Sequence, residues 1–297
     1  MYHHNFAQKI ILIFVFMNII PVYTAARTET EFIIMISVPT IPSMVFLRMM
    51  QASEVCHTIA EPGADAYFAA HGPQLCSCWD YEPSNMPKNY EEAVKCIEQF
   101  LSQSQPVFMK EVGFAAQEYL LQQGKHLLCR PQTRCIFLIC HPLQALLTYH
   151  NFEPHEFDVE SIMNYQNLYH LYNKISEVTG NAPRVIMTDD IIKDAHNTIE
   201  MFFEYINIPF SSKFLSWNQQ DSSISAQHLW DINTQKHGWF DVAFSSNDFS
   251  SLTVDEQEST FSEIHDKNLR EKYQNLYQEN MKYYRLFQEN ARMQVEK

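Results

Sequence analysis

The sequence contains no cluster of lysine and arginine residues, and this excludes the commonest way in which proteins bind nucleic acid. The formal net charge is −14, so a basic surface that would neutralise phosphate groups is missing. The same acidity disfavours adhesion to an anionic membrane. We expect no nucleic-acid partner, and no membrane partner once the N-terminal segment described below is removed.

Glycine is also scarce, with 6 residues among 297, and the chain has neither an internal repeat nor a low-complexity linker. Aromatic residues are plentiful, with 21 Phe and 15 Tyr, and 46% of the residues are hydrophobic. This composition argues against a disordered or fibrous protein. It predicts one large domain or two small ones around a sizeable core.

The N-terminus carries a short apolar segment, residues 10–22, followed by small residues at Thr24 and Ala26. The segment is too short to span a bilayer comfortably and matches the core of a secretory signal peptide. We expect residues 1–26 to be a signal peptide with cleavage before Arg27, and the mature protein to be secreted. An uncleaved membrane anchor is the next interpretation, and a buried first helix the third.

The seven cysteines do not form a recognisable metal-binding pattern. Cys135 and Cys140 lie in an apolar segment typical of buried free thiols. Because seven is odd, at least one thiol is left over or pairs between chains. His141 and His150 also lack a recognised ligand spacing, so we expect no metal. Four cysteines are close enough in sequence to pair in an oxidising compartment: Cys56, Cys76, Cys78 and Cys96.

Apolar segments and helical patterns alternate along the chain, which predicts an α/β fold with a parallel sheet in three layers. The strands are continuous apolar runs, as expected when both faces are covered. Four are predicted: Phe32–Val38, Pro106–Met109, Cys135–Cys140 and Val185–Thr188. Helices are predicted over 90–101, 157–178 (with Gly180 as the C-cap) and 195–206. Such folds bind ligands where strands end, which directs attention to 38–44, 110–116 and 140–148.

The last segment, residues 256–297, is polar and helix-prone, with apolar residues spaced to form one stripe. We expect an amphipathic helix packed on an α/β domain of residues 27–255. A coiled coil is the less favoured interpretation, because Asn280 interrupts the apolar seam.

Five motifs in order resemble the bacterial-type branch of the sulfotransferases that use 3′-phosphoadenosine 5′-phosphosulfate (PAPS). The longest is "RVIMTDDIIKDAHNTIEMFFEYINIPFSSKFLSW", residues 184–217, with Asp189-Asp190, Asp194 and Trp217 in place. The segments "SVPTIPSMVFLRMM", "VFMKEVGF", "CIFLICHPLQALLTYH" and "HLWDINTQKHGWFDVAFSSNDF" match the others. The resemblance covers roughly residues 31 to 250 and implies a P-loop-like sheet that transfers a sulfuryl group to a hydroxyl or amine.

The resemblance also implies which residues form the site. The first loop, which would hold the donor, comprises Pro39, Thr40, Ile41, Pro42, Ser43 and Met44. The second loop would contribute Cys140 and Thr148. Lys110 would face the transferred group, and Glu61 or Glu111 would take the acceptor's proton. PAPS would be the donor substrate, no metal would be needed, and the acceptor would be a hydroxylated small molecule or a glycan.

The chain departs from the family pattern at its charged anion-binding positions. Thr40 replaces the cation of the first loop, and Met44 replaces its last hydroxyl. Cys140 replaces the arginine of the second loop, whereas Thr148 keeps a hydroxyl. Charge-assisted contacts to phosphate are stronger than neutral ones, and two are lost here. Backbone N–H groups at the helix N-terminus remain available to an anion.

Ordinary structural roles compete with these functional ones. Lys110 also fits a solvated surface lysine, and Glu61 and Glu111 also fit structural carboxylates. Asp189-Asp190 favours capping and hydrogen bonding over metal ligation. Ser43 lacks the Gly-x-Ser-x-Gly setting of a hydrolase nucleophile.

Three functions are compatible with this sequence. The first is an exported sulfotransferase. The second is a binding protein that keeps the fold and has lost the donor. The third is a secreted factor that acts inside another cell, where the donor would be available. The oligomeric state cannot be inferred from these residues.

Overall fold

A computed structural model describes residues 30–71, 87–152, 159–217, 245–252 and 261–295. These residues form a sheet of five parallel strands in the order β2-β3-β1-β4-β5. The α/β fold with a parallel sheet is therefore confirmed. The strands are β1 Phe32–Ser37, β2 His57–Ala60, β3 Val107–Val112, β4 Thr133–Ile139 and β5 Arg184–Met187.

Helices separate the strands along the chain. Those before β4 are α1 Ile41–Ser53, α2 Pro62–His71, α3 Tyr90–Leu101, α4 Gly113–Leu121 and α5 Lys125–Leu128. Those after β4 are α6 Pro142–Phe152, α7 Val159–Ile162, α8 Tyr165–Thr179, α9 Thr188–Lys193, α10 Ala195–Tyr205 and α11 Lys267–Val295. Short 3-10 turns occupy Ser212–Leu215, Phe249–Leu252 and Phe261–Glu263.

The strand register shows that the core has two apolar layers, one on each face of the sheet. Phe108 of β3 is level with Ile33 of β1, and Phe137 of β4 is level with Ile36. Because side chains alternate along a strand, Phe108 and Phe137 lie on opposite faces. Phe108 stacks on Phe46 of α1, and Phe137 contacts α8 and α11 through Tyr172 and Phe287. Helices therefore cover both faces.

Strand β3 differs from the sequence-based prediction in a way that matters for the site. It runs to Val112 rather than ending at Met109, and α4 begins at Gly113. All six strand residues are buried. Residues 110–116 therefore do not form the turn that the sequence suggested, because Lys110 and Glu111 continue the β3 ladder beside β1.

Two further elements differ from expectation. The edge strand β2 was not predicted, because its four residues include His57 and Thr58 and form no continuous apolar run. The helix predicted over 157–178 is divided into α7 and α8, since the Asn164 side chain accepts a hydrogen bond from the Asn167 N–H and starts a new helix. The predicted C-cap at Gly180 is confirmed, with φ of 71°. The helices predicted over 90–101 and 195–206 are also confirmed.

Helix α11 packs against β5, α6 and α8. Asn280, which is 3% exposed, accepts a hydrogen bond from the Tyr165 N–H and donates one to the Met163 carbonyl oxygen, at 3.2 and 2.7 Å. Near the other end, the Gln294 amide accepts from the Val185 N–H at 2.9 Å and donates to the Pro183 carbonyl oxygen at 2.7 Å. The Gln294 side chain of α11 thus provides hydrogen-bond partners for the backbone at the outer strand β5.

The predicted signal peptide lies outside the described residues. Among the helices that the structure does describe, none is long and apolar enough to span a bilayer. Cys135 and Cys140 are buried free thiols, as expected. Cys56 and Cys96 are free as well, and the other two members of the proposed pairing cluster, Cys76 and Cys78, lie outside the described residues.

Candidate functional site

Two charged residues meet where strand β2 ends beside β3. Lys110 is level with Ala60, the last residue of β2, and Glu61 follows directly. The Lys110 ammonium forms an ion pair and hydrogen bond with the Glu61 carboxylate. Lys110 is 1% exposed and Glu61 12% exposed. A lysine buried this deeply needs a partner, so the structure places Lys110 in a paired site rather than on a solvated surface.

The backbone of Glu61 holds its side chain in this position. Its φ of 51° lies in the left-handed region, which costs a non-glycine residue about 1 kcal/mol or more. The Glu61 N–H donates to the Lys110 carbonyl oxygen at 2.7 Å, and the Glu61 carbonyl oxygen accepts from the Asp65 N–H at 3.1 Å. The junction between β2 and α2 is therefore fixed to β3 through both backbone and side chain.

Glu111 lies on the opposite face of β3 from Lys110, because adjacent strand residues alternate. Its carboxylate accepts hydrogen bonds from the Gly63 N–H at 2.7 Å, the Val112 N–H at 2.8 Å and the Tyr119 hydroxyl at 2.8 Å. The residue is fully buried. Glu111 thus joins α2, β3 and α4, and its contacts are those of a residue that positions the site.

The carboxyl groups near Lys110 influence one another's protonation. Burial, and then the negative charge of Glu61, raise the pKa of Glu111 to about 7, although its hydrogen bonds oppose the shift. Burial also raises the pKa of Asp65 well above its usual value, with Glu61 and Glu111 adding to the effect. Both carboxyl groups therefore hold a proton more readily than exposed carboxyl groups do.

Gly63 is required by the close approach of α2 to α4. A Cβ atom at this position would lie 2.1 Å from the Tyr119 ring and 2.8 Å from a Glu111 carboxylate oxygen. Only a residue without a side chain lets the Gly63 N–H reach Glu111. The Glu61-Pro62-Gly63 segment is thus specified by both the ion pair and this packing.

The first loop presents no charged side chain. Thr40 is the N-cap of α1, but its side chain makes no capping bond to the helix and instead donates to the Val38 carbonyl oxygen at 3.4 Å. The Ser43 hydroxyl, which is fully buried, donates to the Thr40 carbonyl oxygen at 2.7 Å. Pro42 lacks an N–H group and removes one donor from the first turn. Pro39, Ile41 and Met44 are half-buried.

Cys140, at the start of the second loop, is also an uncharged residue. Cys140 is 1% exposed, and its thiol donates to the Gln144 side-chain oxygen at 3.0 Å. Burial raises the pKa of this thiol to about 12, so it stays uncharged at neutral pH. The Tyr165 hydroxyl donates to the Cys140 carbonyl oxygen at 2.7 Å. Thr148 lies half-buried two turns into α6.

The paired aspartates after β5 make hydrogen bonds within the fold. The Asp189 carboxylate accepts from the Tyr284 hydroxyl of α11 at 2.6 Å. Asp194 caps α10 by accepting from the Asn197 N–H at 3.0 Å. The structural role expected for Asp189 is thus confirmed. Within the described residues no group of three His, Cys, Asp or Glu side chains is placed to hold a metal ion.

The structure pairs Lys110 with Glu61 and places Glu111 on the opposite face of β3, where it is bonded to the same segment through the Gly63 N–H. The two loops follow the neighbouring strands β1 and β4. Sequence analysis missed three residues of this cluster: Gly63, Asp65 and Tyr119. The spacing of Glu61 and Asp65 across one helical turn was an available signal, whereas the contact of Tyr119 with Glu111 depends on how α4 packs.

No protein-family model matches the sequence, and no curated protein matches it. Solved structures with a similar backbone path include the following three. The sulfotransferase domain from the curacin biosynthetic pathway has 12% identity and a TM-score of 0.48, covering 83% of this chain and 96% of that one. A sulfotransferase from Alicyclobacillus acidocaldarius has 10% identity and a TM-score of 0.40, covering 65% and 87%. The sulfotransferase domain of the Synechococcus PCC 7002 olefin synthase has 11% identity and a TM-score of 0.40, covering 87% and 94%. Nothing about activity follows from similarity at this level.

Proposed function

We propose that this protein is a sulfotransferase-like enzyme that transfers a sulfuryl group from PAPS to a hydroxyl or amine of a small molecule or glycan. The observation that carries the proposal is the Lys110–Glu61 pair where β2 ends beside β3. Both residues occupy positions that the five-motif resemblance assigns to the site. A cation beside a carboxylate is what sulfuryl transfer needs from the protein.

The two residues have separate roles in this proposal. Lys110 neutralises negative charge on the group being transferred. Glu61 accepts the proton of the acceptor, since its carboxylate is the more exposed of the two candidate bases. Glu111, fully buried and held by three donors, positions the segment that carries Glu61.

The residues present fit the donor unequally. Lys110 and the backbone at the start of α1 suit the sulfuryl end, whereas the buried neutral thiol of Cys140 does not suit a phosphate. Each lost charge-assisted contact weakens binding by about tenfold or more. We therefore expect weak donor affinity.

A second candidate function is recognition without transfer, in which the fold binds a ligand but not the donor. It is favoured by the first loop, where the Ser43 hydroxyl is engaged by the Thr40 carbonyl oxygen and no cation is present among Pro39 to Met44. A secreted factor that acts inside another cell would use the same site.

Calorimetry with adenosine 3′,5′-bisphosphate, the desulfated form of the donor, separates the two functions. The enzyme proposal expects saturable binding below millimolar concentration, lost in Lys110→Ala and kept in Lys95→Ala, an exposed lysine paired with Glu91 on α3. Circular dichroism of each variant establishes that it is folded. No detectable heat with the wild-type protein at millimolar nucleotide would contradict the enzyme and support recognition alone.

A further inference from the structure

The Lys110–Glu61 pair has an asymmetry that bears on what the site admits. The Lys110 side chain is 1% exposed, and the Glu61 side chain is 12% exposed. Glu61 is thus the partner that solvent reaches. Its carboxylate occupies the position beside the ammonium that an external anion would need.

The backbone fixes Glu61 in that position. Its left-handed φ of 51° is held by two backbone hydrogen bonds. Its N–H donates to the Lys110 carbonyl oxygen, and its carbonyl oxygen accepts from the Asp65 N–H in α2. Strained conformations of this kind persist only where the surroundings over-determine them. The backbone therefore already holds the carboxylate next to Lys110, and little further conformational entropy is lost when the ion pair forms.

The other acids of the cluster do not replace Glu61 in this role. Burial, with the charge of Glu61 as a further cause, raises the pKa of both Asp65 and Glu111. Glu111 also points to the face of the sheet opposite Lys110 and is held by Gly63, Val112 and Tyr119. Glu61 is the carboxylate that makes the ion pair with Lys110.

We propose that Glu61 is an internal counter-ion that competes with external anions for Lys110 and so determines which ligands the site accepts. A single small anion does not displace the Glu61 carboxylate from Lys110, whereas a ligand that also contacts the first and second loops does. This inference deepens the proposed function and rests on it for the identity of such a ligand. It gives Glu61 a specificity role in addition to accepting a proton.

The test uses inorganic sulfate and the Glu61→Gln variant, which keeps the size of the side chain and removes its charge. Thermal unfolding is measured in sodium sulfate and in sodium chloride at equal ionic strength. We expect sulfate to raise the Tm of Glu61→Gln by about 2 to 4 °C more than that of the wild type. The matched control is Glu91→Gln, which removes the carboxylate of the exposed Lys95–Glu91 pair and is expected to respond like the wild type.

The double variant Glu61→Gln/Lys110→Met identifies the cation. The extra sulfate effect is expected to disappear, because no ammonium remains to bind the anion. An equal response of Glu61→Gln and wild type would overturn the proposal, as it would mean that Asp65 or Glu111 compensates Lys110 instead. Persistence of the effect in the double variant would also overturn it, since the anion would then bind elsewhere.

Glu61→Asp provides a second route if the neutral variant does not fold. It keeps the charge and withdraws the carboxylate by one methylene, so sulfate should raise its Tm more than that of the wild type; an equal response would again contradict the proposal. The readout is independent of the nucleotide test. Sulfate binding by Glu61→Gln together with no nucleotide binding by the wild type would leave the counter-ion role standing and remove the proposed enzyme function.

Discussion

The carboxyl edge of the sheet has two halves that differ in charge. The β2–β3 half contains four ionisable residues: Asp65, Lys110 and Glu111 are buried, and Glu61 is 12% exposed. In the β1–β4 half, Thr40, Ser43 and Cys140 are buried, neutral and hydrogen-bonded within the chain.

The two halves differ in how far along the chain their contacts reach. In the neutral half, the side chains of Thr40, Ser43 and Cys140 bond to groups within four positions along the chain. The charged half joins β2, β3, α2 and α4 through ion-pair and hydrogen-bond contacts, so removal of one member leaves others unpaired. The ionisable residues thus lie where ion-pair and hydrogen-bond contacts also join several elements of the fold.

The largest effect is expected from Lys110→Ala. Removing the ammonium leaves the Glu61 carboxylate without its partner, and breaking a largely buried pair costs about 3 kcal/mol or more. The free energy of unfolding from urea titration measures this loss. Lys95→Ala, which removes one member of an exposed pair, is the control and should change stability by less than about 1 kcal/mol. Similar losses in the two variants would show that the β2–β3 half is not the more tightly coupled one.

Gly63→Ala should follow in size. The added Cβ would lie 2.1 Å from the Tyr119 ring, so α2 must move away from α4. This movement also pulls the residue-63 N–H away from Glu111, and we expect a loss of about 2 kcal/mol in stability. Chemical denaturation measures the loss. Gly180→Ala is a useful contrast, because nothing lies within 4 Å of its Cβ and the cost comes from a φ of 71° alone. A double variant Gly63→Ala/Tyr119→Leu that recovers none of the loss would contradict the steric explanation.

Glu111→Gln tests the electrostatics of the charged half. The amide cannot accept from the Gly63, Val112 and Tyr119 donors together as the carboxylate does, which costs about 1 to 2 kcal/mol. Because the folded-state pKa of about 7 exceeds the ordinary value of 4.5, Glu111 favours folding most below pH 4.5, and this contribution is lost as the pH rises to 7.

Stability measured from pH 4 to 8 should therefore fall less steeply in Glu111→Gln than in the wild type. Glu289→Gln, at an exposed position of α11, is the control and should leave the slope unchanged. An unaltered slope in Glu111→Gln would mean that its carboxyl group titrates normally.

The smallest effect is expected from giving charge to the neutral half. Thr40→Arg places a cation at the start of α1, where the donor's anionic end is proposed to lie, and should tighten binding of adenosine 3′,5′-bisphosphate by about tenfold. Calorimetry measures the change. Thr40→Gln, long but neutral, is the control. Equal affinity of the arginine and glutamine variants would show that charge at this position does not limit donor binding.

The α/β architecture was predictable because four of the five strands are continuous apolar segments separated by helical patterns. The length of β3 was not, since Lys110 and Glu111 are charged and sequence patterns assign such residues to loops. They are buried because one is neutralised by Glu61 and the other is held by three donors. The Lys110–Glu61 and Gly63–Glu111 contacts join residues about fifty positions apart, and local sequence does not encode them.

The resemblance named Lys110, Glu61 and Glu111 as candidate site residues, but it indicated neither Gly63, Asp65 and Tyr119 nor the contacts among these residues. Nothing in the segment around Glu61 indicates a left-handed backbone at a glutamate, which is an uncommon choice of residue for that conformation. The neutral character of Thr40 and Cys140 was readable directly. That the Ser43 hydroxyl is engaged by the Thr40 carbonyl oxygen depends on the geometry of the first turn of α1.

The bonds between Gln294 and strand β5 have a consequence for the order in which the chain is made. The Val185 N–H and the Gln294 oxygen that binds it are 109 positions apart. At a synthesis rate of about 5 to 20 residues per second, β5 is synthesised roughly 5 to 20 s before Gln294 is added. During that interval β5 lacks its contacts with Gln294, and the outer edge of the sheet can pair with another strand. The nascent chain is therefore vulnerable to mispairing at this edge, where a chaperone would protect it.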